Sequence, residues 1–133
     1  MSDTGLITTP SRHNAATTLD RLRAAIAARG LAIFATFDHA ANAIGAGMAL
    51  RPTTVLVFGN PQGGTLLMQA SQPAGLDLPL KMLVWEDAAG TAFLTWNDPH
   101  WIAARHQLPS ATTPPVEAMA KLLHALAEQA GGA

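Results

Sequence analysis

Asp38 and His39 are neighbouring residues whose side chains could together carry out acid–base chemistry. They follow an apolar run and precede an alanine-rich segment, so Asp38 is predicted to cap a short helix that starts at His39. The positive end of the helix dipole disfavours imidazolium, which predicts a neutral imidazole able to accept a proton or bind a metal ion. The alternative is a structural histidine that bonds to a neighbouring carbonyl group.

Arg51 and Lys81 are basic residues placed where an anion could be bound. Arg51 stands at the entry to a predicted strand, where its guanidinium could hold a carboxylate or phosphate through two hydrogen bonds. It could equally pair with Asp38, Glu86 or Asp87. Lys81 shares a predicted strand face with apolar residues, a costly position unless the ammonium is paired or the stem runs along a sheet edge.

The segment Gly59-Asn60-Pro61-Gln62-Gly63-Gly64-Thr65 joins a predicted strand to a predicted helix, a geometry that can hold an anion by its backbone amides. The amides of Gly64 and Thr65 are the candidates, with Asn60 beside them. The segment lacks the lysine of a Walker A loop and does not match G-x-G-x-x-G. Glycines that only permit a tight turn are the alternative.

The composition excludes several other kinds of function. The chain has no cysteine, which removes disulfides, thiolate nucleophiles and cysteine-based metal sites. Its net charge is −1, with 8 Lys and Arg against 9 Asp and Glu, so no basic surplus is present for nucleic acid. Trp85, Trp96 and Trp101 are therefore predicted to lie in the core or at an interface. His100 and His106 are spaced to point to different helix faces, and no cofactor or metal site is predicted from spacing.

Apolar periodicity predicts one α+β domain over residues 1–133, with helices packed on one face of a mostly antiparallel sheet. The predicted elements are a short strand over Leu6–Thr9, a helix from Thr17 or Thr18 that stops at Gly30, strands over Leu31–Phe37 and Thr53–Phe58 with the short helix at His39 between them, a helix over Thr65–Ser71, a hairpin of Pro79–Asp87 and Thr91–Trp96, a helix from Pro99 to His106, and a final helix from Thr113 that ends before a frayed tail, Ala130–Ala133.

The strands Leu31–Phe37 and Thr53–Phe58 are apolar on both faces, which is unusual for an antiparallel sheet covered on one side. Either a second subunit or the short helices must cover the other face. The simplest arrangement is an isologous homodimer, which we therefore expect. The sequence has no basic leader and no apolar stretch of membrane-spanning length, so we expect a cytoplasmic protein without a membrane segment.

Several motifs in order along the chain resemble the family catalogued as domain of unknown function 302. They are Asp38-His39-Ala40-Ala41, Leu50-Arg51-Pro52-Thr53, Phe58-Gly59-Asn60-Pro61, Gly64-Thr65, Leu67-Met68-Gln69, Asp77-Leu78-Pro79-Leu80-Lys81, Val84-Trp85-Glu86-Asp87 and Trp96-Asn97-Asp98-Pro99. The resemblance covers about residues 17–108, leaving the helix at about 114–130 as an extension. It implies a TBP-like fold, β-α-β(4)-α in outline, in small bacterial or archaeal proteins that are often dimeric. It implies no established activity and no catalytic residue.

Three functions remain open at this point. The leading hypothesis is a homodimeric module that binds a small polar or anionic ligand. Its candidate ligand-binding residues are His39, Arg51, Asn60, Gly64, Thr65 and Lys81. The second is a lyase, isomerase or hydrolase that uses His39 as general base and Asp38 to orient it, with Arg51 or Lys81 stabilising negative charge. The third is metal or haem binding through His39, completed by a histidine of a partner subunit.

Overall fold

A computed structural model describes residues 4–133 and shows five strands and five α-helices. The elements are β1 (Leu6–Pro10), α1 (Ala15–Ala28), β2 (Ala32–Asp38), α2 (His39–Gly45), β3 (Thr53–Gly59), α3 (Pro61–Ala70), a 3₁₀ turn (Gln72–Leu76), β4 (Leu80–Glu86), β5 (Ala92–Asn97), α4 (Pro99–Arg105), a 3₁₀ turn (Ser110–Thr112) and α5 (Thr113–Gly131). Their order along the chain matches the order predicted from the sequence.

The five strands form one antiparallel sheet in the order β1-β5-β4-β3-β2. The predicted hairpin is the β4–β5 pair, in which Leu83 lies opposite Thr95. β3 pairs with both β2 and β4, and an irregularity between Ile33 and Ala35 shifts the register of edge strand β2. The predicted α+β class with a mostly antiparallel sheet is confirmed.

One face of the sheet, the inner face, packs against α1 and α5 and forms the core. Alternate strand residues such as Leu56, Met82 and Leu94 are fully buried there. They meet Ile26 of α1 and Leu126 of α5, also fully buried. The apolar stripes that predicted these two helices therefore face the sheet, as the helical period requires.

The opposite face, here called the outer face, carries Val55, Val57, Leu83, Trp85 and Phe93, all half-buried, together with the exposed Phe37 of β2. The rings of Trp85 and Phe93 stack with their centroids 4.8 Å apart. The strands are thus apolar on both faces, as the sequence predicts, while the long helices pack on the inner face alone. α1 and α5 consequently leave the outer face without a covering layer.

The structure differs from the predicted boundaries in three places. α1 starts at Ala15 instead of at Thr17 or Thr18, because the Asn14 side chain caps it by accepting a hydrogen bond from Thr17 N. α3 starts at Pro61 instead of Thr65, because the Asn60 side chain accepts a hydrogen bond from Gln62 N and proline suits the first helical turn. The predicted frayed tail is also wrong. α5 runs to Gly131, and Arg21 donates hydrogen bonds to the carbonyls of Gln129 and Ala130, which fixes the helix end.

Candidate functional site

A cavity with a volume of about 810 Å³ lies where β3 ends and α3 begins. The other walls come from the start of β4, the start of β2 and the N-terminal half of α5. Its apolar lining side chains are Leu31, Phe34, Phe58, Leu66, Met68, Leu78, Leu80, Met119 and Leu122. Segments from four different parts of the chain therefore form one concave apolar surface, the usual form of a small-molecule site.

Gly63 and Gly64 line this cavity and have no side chain that would fill it. A Cβ on Gly63 would lie 3.3 Å from the Met119 methyl group, and one on Gly64 would lie 3.8 Å from the Met68 methyl group. A Cβ on Gly63 would therefore crowd Met119, whereas one on Gly64 would make only an ordinary contact with Met68. The absence of a side chain at Gly63 thus lets α3 approach α5 at Met119.

The amides of Gly64 and Thr65, which the sequence suggested as an anion cradle, lie inside α3. Because the helix starts at Pro61, its i to i−4 pattern directs these two amides to the carbonyls of Asn60 and Pro61. The Thr65 hydroxyl also donates to the Pro61 carbonyl, at 2.6 Å. Both residues line the cavity, but their amides donate to carbonyl groups within the helix and are not free to bind an anion.

The cavity contains no charge of its own: among the described residues, none of its lining side chains is ionisable. Its polar side chains are Asn60, Gln62 and Thr65, all exposed at the rim. Phe34 and Leu66 also line it and are each 49% exposed. Large apolar side chains left half in water at the mouth of an apolar cavity favour a ligand with an apolar body.

Asp38 and His39 lie at the other end of the sheet from this cavity. Asp38 caps α2 as predicted, its Oδ1 accepting a hydrogen bond from Ala41 N at 2.9 Å. His39 follows it and is exposed. β2 runs from the Gly59 end of β3 to the Thr54 end, and Asp38 lies four residues, about 13 Å, along β2 from the cavity-lining Phe34. Neither residue lines this cavity.

Arg51 and Lys81 do not line the cavity either. Arg51 Nε donates to the Glu86 carbonyl at 3.2 Å, a backbone contact instead of the acidic side-chain partners considered for it. Lys81 lies on the outer face, as its strand parity predicts, and its Nζ donates to the carbonyls of Asp77 and Pro79. Burial lowers the pKa of Lys81 below its ordinary value, against the opposing charge of Asp77. Of the six predicted ligand-binding residues, only Asn60, Gly64 and Thr65 line the cavity.

Sequence reasoning missed a cluster around Asp77. Its carboxylate accepts hydrogen bonds from His106 Nε2 at 2.6 Å and from Arg105 at 3.1 and 3.2 Å, and the Arg105 guanidinium lies over the Trp101 ring. His106 and Asp77 are nearly buried. The two parts of the cluster are 29 residues apart, and no local pattern signals their contact.

Two results bear on metals and membranes. In the part of the chain that the structure describes, no three His, Asp or Glu side chains come together as a group that could hold a metal ion. Within residues 4–133, no helix has both the length and the apolar character needed to cross a membrane.

The fold and cavity together define a single α+β domain with helices on one face of an antiparallel sheet and an apolar ligand-sized cavity at the sheet's end. The sequence model of the family described as "Domain of unknown function DUF302" matches residues 7–128. The chain belongs to this family. The match extends beyond residues 17–108 and takes in most of α5, so this helix is part of the matched family region and not an addition to it.

Known proteins resemble this chain in fold or in sequence. The crystal structure of an uncharacterised conserved DUF302 protein from Bacillus stearothermophilus superposes with a TM-score of 0.83, covering 95% of this chain and 98% of that one at 19% identity, which shows the shared fold. Among curated proteins, the Fluoride-specific ion channel FluC 1 of Brucella suis biovar 1 (strain 1330) is 46% identical over 117 residues. FluC 1 of Brucella abortus biovar 1 (strain 9-941) is equally similar. This chain spans 46% and 43% of the length of those relatives, respectively, so it matches less than half of each.

Proposed function

We propose that this chain is a small-molecule-binding domain whose ligand occupies the cavity between α3, α5 and the end of the sheet. The observation that carries the proposal is the cavity itself, of about 810 Å³, within the range of small-ligand sites. The half-exposed Phe34 and Leu66 at its mouth support it, because a bound ligand would remove both side chains from water.

The chemistry of the lining favours a neutral, largely apolar ligand with one polar group, in place of the polar or anionic ligand expected from the sequence. A charged group in this cavity would lose water and find no opposite charge there. The amide of Gln62 and the hydroxyl of Thr65 at the rim are suited to a hydroxyl or carbonyl group at the solvent end of the ligand.

The methionine methyl groups provide a direct test. Met68 and Met119 line the cavity, whereas Met82 is buried in the core and Met48 is exposed elsewhere. In a sample labelled with ¹³C at the methionine methyls, 1-octanol should shift the resonances of Met68 and Met119 and leave those of Met82 and Met48 in place. Octanoate, matched in chain length but charged, should bind more weakly.

A matched pair of variants locates the binding. Ala118 is an exposed residue of α5 that lines the cavity, so Ala118→Trp should fill it and abolish the response to 1-octanol. Ala24 is an exposed helical alanine outside the cavity, so Ala24→Trp should leave the response intact. A wild-type protein whose Met68 and Met119 resonances ignore 1-octanol would refute the assigned site, and so would an unchanged response in Ala118→Trp.

A homodimer formed through the outer face is the second part of the proposal. Five strands about 4.8 Å apart and about 20 Å long give a face of roughly 500 Å² in projection, and side-chain relief raises its accessible area toward the roughly 800 Å² per partner of a standard interface. Among the described outward residues of β3, β4 and β5, Lys81 is the single ionisable one. Two copies of such a face can meet with little charge repulsion.

Oligomeric state tests this part separately. Light scattering after size-exclusion chromatography should give twice the mass of one chain for the wild type. Leu83→Glu on the outer face should give the mass of one chain. Leu76→Glu, at a residue 75% exposed in the 3₁₀ turn, should leave the dimer intact. A wild-type protein with the mass of one chain would exclude the dimer without affecting the ligand cavity.

A second candidate function concerns fluoride transport, because curated relatives that are 46% identical over 88% of this chain carry the name of a fluoride channel. In this reading the chain is an accessory domain that modulates such a channel. The test compares fluoride efflux from liposomes containing the Brucella suis relative, the same protein without the matched segment, and a chimera carrying this chain in its place. The chimera should behave as the intact relative. If removal of the segment leaves efflux unchanged, the candidate fails.

A further inference from the structure

Phe34 lies at the irregularity of edge strand β2. Ile33 lies opposite Phe58 and Ala35 lies opposite Val57, so Phe34 is an extra residue without a partner on β3. An extra residue of this kind is a β-bulge, which redirects nearby side chains and is common next to binding sites. In a regular strand, neighbouring residues point to opposite faces of the sheet. Here Ile33 packs against the core and Phe34 lines the apolar cavity, so the bulge brings two consecutive side chains to the cavity side of β2.

The Phe34 ring is accessible to a ligand. It lines the mouth of the cavity and is 49% exposed. Within residues 4–133, the aromatic ring contacts join Trp85 to Phe93 and Trp96 to His124, so no other ring packs on Phe34. Paired aromatic rings are stabilised beyond the burial of their area. An aromatic ligand would therefore gain a contact with Phe34 that an aliphatic ligand of the same size would not.

The other lining residues suit the remaining sides of an aromatic ring. Met68 and Met119 line the cavity, and methionine thioethers adapt to ring edges and contact them favourably. None of the described lining side chains is ionisable, so a ring that carries a charge would lose water without gaining a counter-charge. Gln62 and Thr65 at the rim can form hydrogen bonds with a hydroxyl group on the ligand.

We propose that the cavity binds a neutral aromatic alcohol or phenol whose ring stacks on Phe34, and that Phe34 selects aromatic over aliphatic ligands. This inference rests on the ligand cavity of the proposed function and names the chemical class of its ligand. The ligand ring lies between Phe34 and the two methionines, with its hydroxyl group at the rim. The cavity volume of about 810 Å³ accommodates a molecule of this size.

A matched pair of alcohols, 2-phenylethanol and 2-cyclohexylethanol, tests the inference. They share a carbon skeleton and a hydroxyl group and differ in the aromaticity of the ring. The ¹³C-labelled methyl groups of Met68 and Met119 report both titrations, and the ratio of the two dissociation constants gives the preference for the aromatic ligand. Phe34→Leu keeps an apolar side chain but removes the ring, so it should lower this preference about threefold to tenfold relative to the wild type. Comparing the ratio between two proteins cancels the difference in hydrophobicity between the alcohols.

Two further variants are the controls. Phe37 belongs to the same strand and is 48% exposed but does not line the cavity, so Phe37→Leu should leave the preference unchanged. Phe34→Tyr keeps an aromatic ring and should retain the preference.

An equal preference in the wild type and Phe34→Leu would overturn the inference while the cavity remained a binding site for both alcohols. An equal loss of preference in Phe37→Leu and Phe34→Leu would overturn it as well. If neither alcohol nor 1-octanol shifts the Met68 and Met119 resonances, the cavity itself is refuted, and the inference fails with it.

Discussion

The Asp77 carboxylate lies 2.6 Å from His106 Nε2 and joins the segment before β4 to the residue that ends α4. Both side chains are nearly withdrawn from water, at 14% and 9% exposure. Arg105 donates to both oxygens of the same carboxylate from the solvent side. The start of β4 also provides part of the apolar cavity, so this contact supports one of the cavity's walls.

Removing the Asp77 carboxylate should therefore destabilise the fold. Asp77→Ala leaves the His106 imidazole without its acceptor and frees Arg105, and we expect the free energy of unfolding to fall by about 2 kcal/mol. Urea denaturation followed by circular dichroism measures it. Asp20→Ala, at an exposed carboxylate of α1, is the control and should change stability by less than about 0.5 kcal/mol. Equal effects of the two substitutions would show that the Asp77 cluster contributes nothing to stability.

The contact between α4 and α5 should depend on pH through His100. The hydrogen bond to Glu117 is the main cause that raises the pKa of His100 above its ordinary value. Burial opposes it as the next largest effect, and the hydrogen bond to Asp98 raises the pKa further. Its stabilising contribution is complete below the unfolded-state pKa of about 6.5 and is lost as the pH rises through the folded-state pKa. The wild type should therefore lose more stability than His100→Gln between about pH 5.5 and about pH 8.5.

An NMR titration of the His100 ring checks the premise of that prediction. The ring should titrate above the value of an unperturbed histidine, and Glu117→Gln should lower its pKa, because the Glu117 carboxylate is the main cause of the shift. A His100 that titrates at or below about 6.5 would contradict the prediction.

Asp38 and His39 should differ in their contributions to stability. Asp38→Ala removes the cap of α2 and should lower the free energy of unfolding by about 1 kcal/mol. His39→Ala alters an exposed side chain and should change it by less than about 0.5 kcal/mol. Chemical denaturation of the two variants measures both. A larger loss of stability in His39→Ala than in Asp38→Ala would contradict this prediction, because it would mean that the His39 imidazole makes a stabilising contact.

Gly5 and Gly90 form a matched pair for testing close packing. Both have positive φ, at 75° and 84°, so alanine is strained at either position. A Cβ on Gly5 would meet the Trp101 ring, whereas a Cβ on Gly90 would have no atom within 4 Å. Gly90→Ala should cost about 1 kcal/mol, and Gly5→Ala about 3 kcal/mol because the indole must also move. Thermal or urea unfolding of the two variants compares them, and similar losses would exclude the predicted clash.

The sequence predicted the features that depend on neighbouring residues. The caps at Asp38 and Asp98 and the stop at Gly30 follow from local backbone needs, and each is observed. The face on which Lys81 lies followed from the alternation of strand residues. The start of α3 was placed four residues late, because Gly63 and Gly64 suggest a loop when their contacts with the rest of the chain are unknown.

The candidate site was predicted only in part for the same reason. Asn60, Gly64 and Thr65 belong to one local segment that forms a cavity wall, and the sequence identified them. Met119 and Leu122 of α5 form the facing wall, and nothing near them in the chain marks them as lining residues. The prediction that His39 and Asn60 line the same site does not match the structure, since β2 and β3 place them at opposite ends of the sheet.

Local sequence was thus sufficient for the class of fold, the order of the elements and the apolar character of both sheet faces, because helix and strand periods are properties of short segments. Tertiary structure alone decided where the apolar cavity lies, that Asp77 meets His106, and that Phe34 lines the cavity from a bulge in β2. Each of these depends on distances between segments far apart in the chain, which are set by how the helices pack on the sheet.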